Sequence, residues 1–306
     1  MLLPKVSVIM SCYNSEEYVA KAINSILVQS YTDFEFIIWN DGSTDNTEKI
    51  VKTFHDKRIR YFYHENTGLG MALKLACNQA RGEYIARMDA DDISAPSRLQ
   101  EQYDYLSSHP ETVLVSSAVN YINESGTKLR RSLPYTNNKV ISKIMLTTGH
   151  SVVVHPSTMF RKTAYFDAGG YMPLKKAQDI VLFSRMCKLG VFYTFRKTLL
   201  NYRLTENSIS TQTDSSSYSP IINAYLRKFS SDEQINDEDV ERYNEVVSLS
   251  KKEIKRHDIK ILNNQRNTIS AYVKMYNFLK CFLGESFAAN IVIFLKNIGA
   301  RIQYKV

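Results

Sequence analysis

Three aspartates fall within four residues, Asp89, Asp91 and Asp92, where the stretch YIARMDADDIS leaves an apolar run that reads as a buried strand. At neutral pH all three would ionise and repel one another. A solvated acidic turn is one explanation, because Asp favours turns. A site completed by a cation is the other. If the chain stays extended through 89–91, Asp89 and Asp91 point to the same side, since side chains alternate along a strand. Two converging carboxylates suit a hard divalent ion, Mn²⁺ or Mg²⁺, whose remaining positions substrate phosphates can fill. The pattern favours a substrate with a diphosphate group.

The elements that must position these groups are legible over the first 120 residues. Strand-like and helix-like patterns alternate there as in an α/β domain built on an open, mostly parallel sheet flanked by helices. Strands are predicted over 5–11, 34–41, 59–64, 82–89 and 112–122. Helices are predicted over 17–28 and 71–80, near Pro96, and from Asp45, where Asp45 and Glu48 have capping-box spacing. Polar residues cluster where three strands end: Ser11, Tyr13 and Asn14; Asn40, Asp41 and Gly42; and the acidic trio. Ligands bind beyond the carboxyl ends of such strands, so topology alone would gather these groups on one rim.

Beyond residue 120 the alternation weakens. A strand is predicted over 152–162 and a helix over 176–190, ended by Gly190. The polar segment STQTDSSSYSP at 210–220 marks a boundary, which gives a main domain of 1–210 and an extension of 211–306.

Composition narrows the function further. With 306 residues, 44% of them hydrophobic, the chain can build one large domain plus an appendage. The net charge of +8 resides in the tail, because 251–306 holds eleven Lys and Arg against three acids and the rest balances. A basic tail without a recognition motif argues against nucleic-acid binding. Cys12, Cys77, Cys187 and Cys281 lack metal or disulfide spacing and suit a reducing, cytoplasmic setting. No signal peptide is read at the N-terminus, and no apolar run reaches membrane-spanning length. SCYNSEE after the first strand carries neither a dinucleotide fingerprint nor a P-loop lysine, which removes nicotinamide chemistry. The tail carries two apolar helical stripes, Tyr272 to Leu283 and Phe287 to Ile302. Such faces either pack on the protein or lie on an anionic membrane surface as a peripheral contact.

Taken together, VSVIMSCYNSEEYVAKAINSILVQSYTDFEFIIWNDGSTDNT, GEYIARMDADDISAPSRL and AQDIVLFSRMCKLG resemble successive signatures of the family 2 glycosyltransferases over residues 4–210. The resemblance implies a GT-A fold and an inverting, metal-dependent transfer of one sugar from a nucleotide sugar, with UDP the prior choice. Its acceptor would be a glycan or lipid-diphosphate-linked saccharide, as in O-antigen or capsule assembly. It implies a nucleotide-sugar-binding half at 1–120 and an acceptor half at 121–210. Ser11, Tyr13, Asp41 and Asp89 match donor-binding positions, Asp91 the metal ligand and Asp179 the general base. The chain departs from the pattern at Asn40, at Gln178 before the base, and at Thr205, where His is usual. Processive relatives carry membrane helices and a QxxRW-type motif, whereas the single tryptophan here is Trp39. The competing class is a non-catalytic nucleotide- or carbohydrate-binding protein with a degenerate fold of this kind; retention of Asp41, Asp89, Asp91 and Asp179 opposes it. His155 is open to two readings, facing the acceptor or bonded in the core. Arg98 is expected to pair with the acidic loop.

Overall fold

The computed structural model describes residues 3–148, 151–205, 226, 228–230 and 235–248. One open sheet organises the domain, in the order β3-β2-β1-β4-β8-β6-β9-β5, with β7 added beside β6. The first half is the expected parallel array of β1 (Val6–Cys12), β2 (Phe34–Asp41), β3 (Ile59–His64) and β4 (Tyr84–Asp89). Its helices are α1 (Val19–Leu27), α2 (Thr47–Lys52), α3 (Leu69–Asn78) and α4 (Arg98–Ser108).

β1, β2 and β4 are buried on both faces, so their apolar residues fall on both sides of the strand rather than in strict alternation. Val8, Met10, Phe36 and Ile38 pack with Ile23 and Ile26 of α1 and Leu99 of α4. Ile9, Ile37 and Trp39 face the other way, toward Leu73 and Ala76 of α3. The α1 stripe behaves as its spacing predicts. The predicted capping box does not form: Asp45 accepts from the N–H of Thr47 at 2.9 Å and of Glu16 at 3.0 Å. Glu48 instead pairs with Lys52 at 2.6 Å, one turn along.

The second half mixes directions. β6 (Thr112–Ile122) runs parallel to β9 (Val191–Arg203), while β8 (Met159–Arg161) is antiparallel to both β4 and β6. β5 (Ile93–Ser94) pairs antiparallel with β9, and β7 (Lys128–Arg131) with β6. The strand predicted over 152–162 is mostly something else. His155–Ser157 forms a 3₁₀ turn, and the Thr158 and Ser157 hydroxyls bond back to the carbonyls of His155 and Val154. Short polar side chains there offer the backbone an alternative to the ladder, and only 159–161 pairs. Three helices complete this half: α5 (Asn138–Thr148), α6 (Lys162–Asp167) and α7 (Gln178–Met186). α7 ends short of Gly190, which instead lets the chain pass Val113 and Glu111 closely as it enters β9.

A later helix, α8 (Asp237–Ser248), opens with Asp237, Glu238 and Asp239, a charge that suits a helix N-terminus. Tyr243 and Val247 pack with Ile180 and Val181 of α7 in a small satellite core. The Tyr243 hydroxyl donates to the Lys176 carbonyl at 2.9 Å. The apolar stripes and basic charge of 251–306 lie outside the described residues. Among the described residues, no helix is long and apolar enough to cross a membrane.

Candidate active site

The three polar strand ends do meet. Ser11 stands opposite Trp39 of β2 and Asp89 of β4, and Cys12 opposite Asn40, so register alone brings the rim together. The turn after β1 is laced to the turn after β2. Asn14, in the left-handed region at φ 46°, accepts from the Thr44 N–H at 2.8 Å and donates its own N–H to Ser43 at 3.0 Å. Glu16 accepts from both nitrogens of Asn46. Tyr13 emerges from this scaffold half exposed, at 50%.

Asp41 is 2% exposed. One of its oxygens accepts from the Thr67 N–H and hydroxyl, both at 3.0 Å, and the other from the Gly68 N–H at 2.9 Å. It therefore pins the turn that opens α3. A carboxylate has about four acceptor sites, so about one remains for a ligand. Gly42 permits the close approach: its φ is +76°, and a Cβ there would sit 2.6 Å from the Asn66 nitrogen. Asn40, in place of the usual acid, donates to Tyr61 at 2.9 Å and accepts from the Ser43 N–H at 2.9 Å.

The acidic cluster has internal cations that sequence reading did not assign. Arg87, 1% exposed, pairs with Asp89 and donates to the Met88 carbonyl. Arg203, also 1% exposed, donates from Nε to the Asp91 carbonyl at 2.8 Å, and its N–H donates to Asp92 at 2.8 Å. Its other donors reach the carbonyls of Asn123 and Glu124. The only available signal for Arg203 was its place at the start of the stretch YRLTENSIS, two residues before Thr205. Arg98, expected to pair with the acids, instead donates to the carbonyls of Arg87 and Thr158, tying β4 to the 3₁₀ turn before β8. A fully buried guanidinium needs acceptors on its whole fork, and the Gln102 side-chain oxygen at 3.1 Å and the Met88 sulfur at 3.6 Å take the remaining donors.

Metal ligation is tested by the geometry of the trio itself. Asp89, Asp91 and Asp92 each offer an oxygen, and all lie within 4.8 Å of one another. Asp92 is 1% exposed, and one of its oxygens has no hydrogen-bond partner. Hard oxygen donors and an orphaned buried carboxylate oxygen fit a divalent cation. Burial, then the Asp89 charge, pushes the Asp91 carboxyl up to about 6. Burial and the charges of Asp89 and Asp91 push Asp92 up as well. A carboxyl raised in the fold contributes stability at low pH that is lost as pH rises through its folded value, here about 6 for Asp91. A cation replaces the proton. Saturating Mn²⁺ is expected to raise the melting temperature by about 5–10 °C at pH 7 and by clearly less at pH 5. Scanning fluorimetry at both pH values checks this; an equal rise at both would remove the trio as the ion's site.

Asp179 stands in the first turn of α7, after Ala177 in the left-handed conformation at φ 60°. Burial raises its carboxyl above the usual range; the N–H groups of Ile180 and Asp179 and the Arg87 charge draw it back. The Asp89 charge also reaches it, so the base candidate and the acidic trio share one field. Asp179 opens onto a cavity of about 590 Å³ lined by Tyr121, Arg130, Tyr135, His155, Thr194 and Tyr202, among others. His155 bonds the Tyr171 hydroxyl at 2.6 Å, as the core reading expects, and also lines this cavity. Burial and the Arg87 charge hold its imidazole well below the usual range, hence neutral.

Residues 7–167 match the family described as Glycosyl transferase family 2. The chain belongs to that family. The O-antigen biosynthesis glycosyltransferase WbnJ of Escherichia coli is 33% identical over 234 residues, 74% of this chain and 90% of that one. EpsE of Bacillus subtilis (strain 168), assigned as a glycosyltransferase, is 35% identical over 231 residues, 73% of this chain and 80% of its own. Among solved structures, S. aureus TarS 1-349 in complex with UDP-GlcNAc aligns with a TM-score of 0.61 at 19% identity, covering 90% of this chain and 81% of that one. The Pyrobaculum calidifontis mannosyltransferase PcManGT, in complex with GDP-Man and Mn²⁺, gives 0.58 at 13% identity, covering 98% and 87%. These likenesses establish the GT-A fold for this family 2 glycosyltransferase.

Proposed function

We propose that this enzyme transfers one sugar from a nucleotide sugar, UDP-linked in first preference, to a hydroxyl of a glycan or lipid-diphosphate-linked acceptor, with inversion at C1. The observation that carries this is the arrangement: Asp179 lines an open cavity and lies within reach of the charge of Asp89, one of three carboxylates whose oxygens lie within 4.8 Å of one another. The donor half would use Ser11, Tyr13 and Asp41 around the nucleoside and Asp89 at the ribose. Asp41 contributes its spare acceptor site and fixes the Thr67 turn.

Asp91 would be the principal ligand of a divalent ion, Mn²⁺ or Mg²⁺, with the trio's other acids alongside. Such an ion, when bound, supplies positive charge to the departing diphosphate. Asp179 accepts the acceptor hydroxyl's proton as the new bond to C1 forms and the C1–oxygen bond to the nucleotide breaks on the opposite face. Its raised carboxyl and its place in the cavity wall suit that task. O-antigen or capsule assembly is the setting suggested by the similarity to WbnJ. Residues 251–306 would bring the enzyme to an anionic cytoplasmic membrane face through their basic charge.

UDP- and GDP-sugars screened with Mn²⁺ for thermal stabilisation test the donor assignment, and product anomer by NMR tests inversion. At least one nucleotide sugar is expected to add about 3 °C or more beyond Mn²⁺ alone, an increment that Asp91→Ala loses. No stabilisation of the native enzyme by any donor would sink the reading.

A further inference from the structure

The acceptor cavity carries an uncommitted cation. Arg130 of β7 stands directly across the ladder from Tyr121 of β6, and its guanidinium lies 3.9 Å from the centre of that ring. Tyr121 is itself set edge-on to Tyr202 of β9, at 5.6 Å and 68°. The guanidinium is thus seated by a stacked ring, while no carboxylate among the described residues pairs with it. Its neighbour Arg131 is a built-in contrast. That side chain spends its donors on the Thr198 hydroxyl, at 3.1 Å, and on the Arg196 carbonyl.

Among the described residues lining the cavity, Arg130 is the one permanent cation and Asp179 the one carboxylate; His155 is neutral. A held guanidinium with free donors matches the planar geometry of phosphate and carboxylate oxygens. Aromatic faces beside it suit the apolar face of a pyranose.

We infer that this cavity selects an acidic acceptor: a saccharide whose accepting sugar adjoins a phosphate ester or a uronate carboxylate, which Arg130 engages while Asp179 addresses the hydroxyl. This rests on the cavity being the acceptor side of the transferase. Arg130 is then a specificity residue, and the neutral glycoside of the same sugar is the poorer ligand.

Binding to the protein, with UDP and Mg²⁺ present, can be measured by saturation-transfer NMR. Suitable probes are an alkyl-diphosphate-linked N-acetylglucosamine, its neutral octyl glycoside and an octyl glucuronide. The native protein is expected to hold at least one anionic probe about 10- to 100-fold more tightly than the neutral one. Arg130→Gln should erase that preference with UDP affinity unchanged, and Arg130→Lys should restore part of it. Whichever anionic probe leads tells phosphate from carboxylate. Equal binding of neutral and anionic probes, or a preference that survives in Arg130→Gln, overturns the inference. Absent transfer with every donor, while the Arg130-dependent preference persists, counts against the proposed activity alone.

Discussion

Asp179→Asn is expected to lower turnover by about 10²- to 10⁴-fold, the usual contribution of a positioned general base. The amide is isosteric, so α7 should keep its first turn, and donor and Mn²⁺ affinity should stay within about twofold. The pH profile adds an independent check. Because burial raises the Asp179 carboxyl, its basic form gains population only as pH climbs past the ordinary carboxylate range. The acid limb of kcat should therefore lie above that range and vanish from the residual activity of Asp179→Asn. Asp91 also titrates, at about 6 in the free protein, so the profile must be taken at saturating Mn²⁺, where its proton has been displaced. A kcat that falls less than threefold in purified Asp179→Asn would refute the assignment.

Arg87→Ala carries the largest expected effect on stability. Removing one partner of a buried ion pair costs about 3–5 kcal/mol. Asp89 keeps 28% of its side chain exposed, which places the loss near the lower end. About 3 kcal/mol corresponds to a melting temperature lower by about 6–12 °C in a domain of this size. A simple packing defect would produce a similar fall, and the response to metal separates the two. Without Arg87 the three carboxylates lose one of their two internal cations, Arg203 remaining, so Mn²⁺ should raise the melting temperature of Arg87→Ala by more than it raises that of the native protein. Calorimetry with and without Mn²⁺ measures both quantities. A smaller metal response in the variant would show that Arg87 serves packing rather than the charge of the site.

The first four strands were legible because each is a short apolar run ending in turn chemistry, and two of them, 34–41 and 59–64, keep their predicted limits. β9 was not. VFYTFRKTLLNYR interleaves Arg196 and Lys197 with apolar residues, and the register shifts between β6 and β9 break its alternation. The pairing that rescues it comes from β6, some 80 residues earlier in the chain, and no local window contains it. The site divides the same way. Asp41, Asp89, Asp91 and Asp92 announce themselves at strand ends, and register confirms that Ser11 and Asp89 adjoin. Arg87 and Arg203 do not, because a buried Arg looks the same in sequence as an exposed one. Arg98 misled for that reason: charge suggested an acid partner, whereas depth in the fold assigned it to carbonyl oxygens.

β9 also limits how such a chain can change length. Thr194 and Tyr202 line the cavity, Arg203 holds the acidic loop, and Asn201 and Leu200 pair with β5 just beyond the trio. Successive residues of a strand face opposite ways, so deleting one residue between 195 and 201 would exchange the faces of everything beyond it. Tyr202 would then leave the cavity or Arg203 the acidic loop. The Asn123–Thr127 turn is tied to the same strand, because the Arg203 guanidinium donates to the carbonyls of Asn123 and Glu124, so β9 must keep its length to the residue. The strand acts as a ruler between the cavity and the acidic loop, and its length matters to their spacing as much as any side chain.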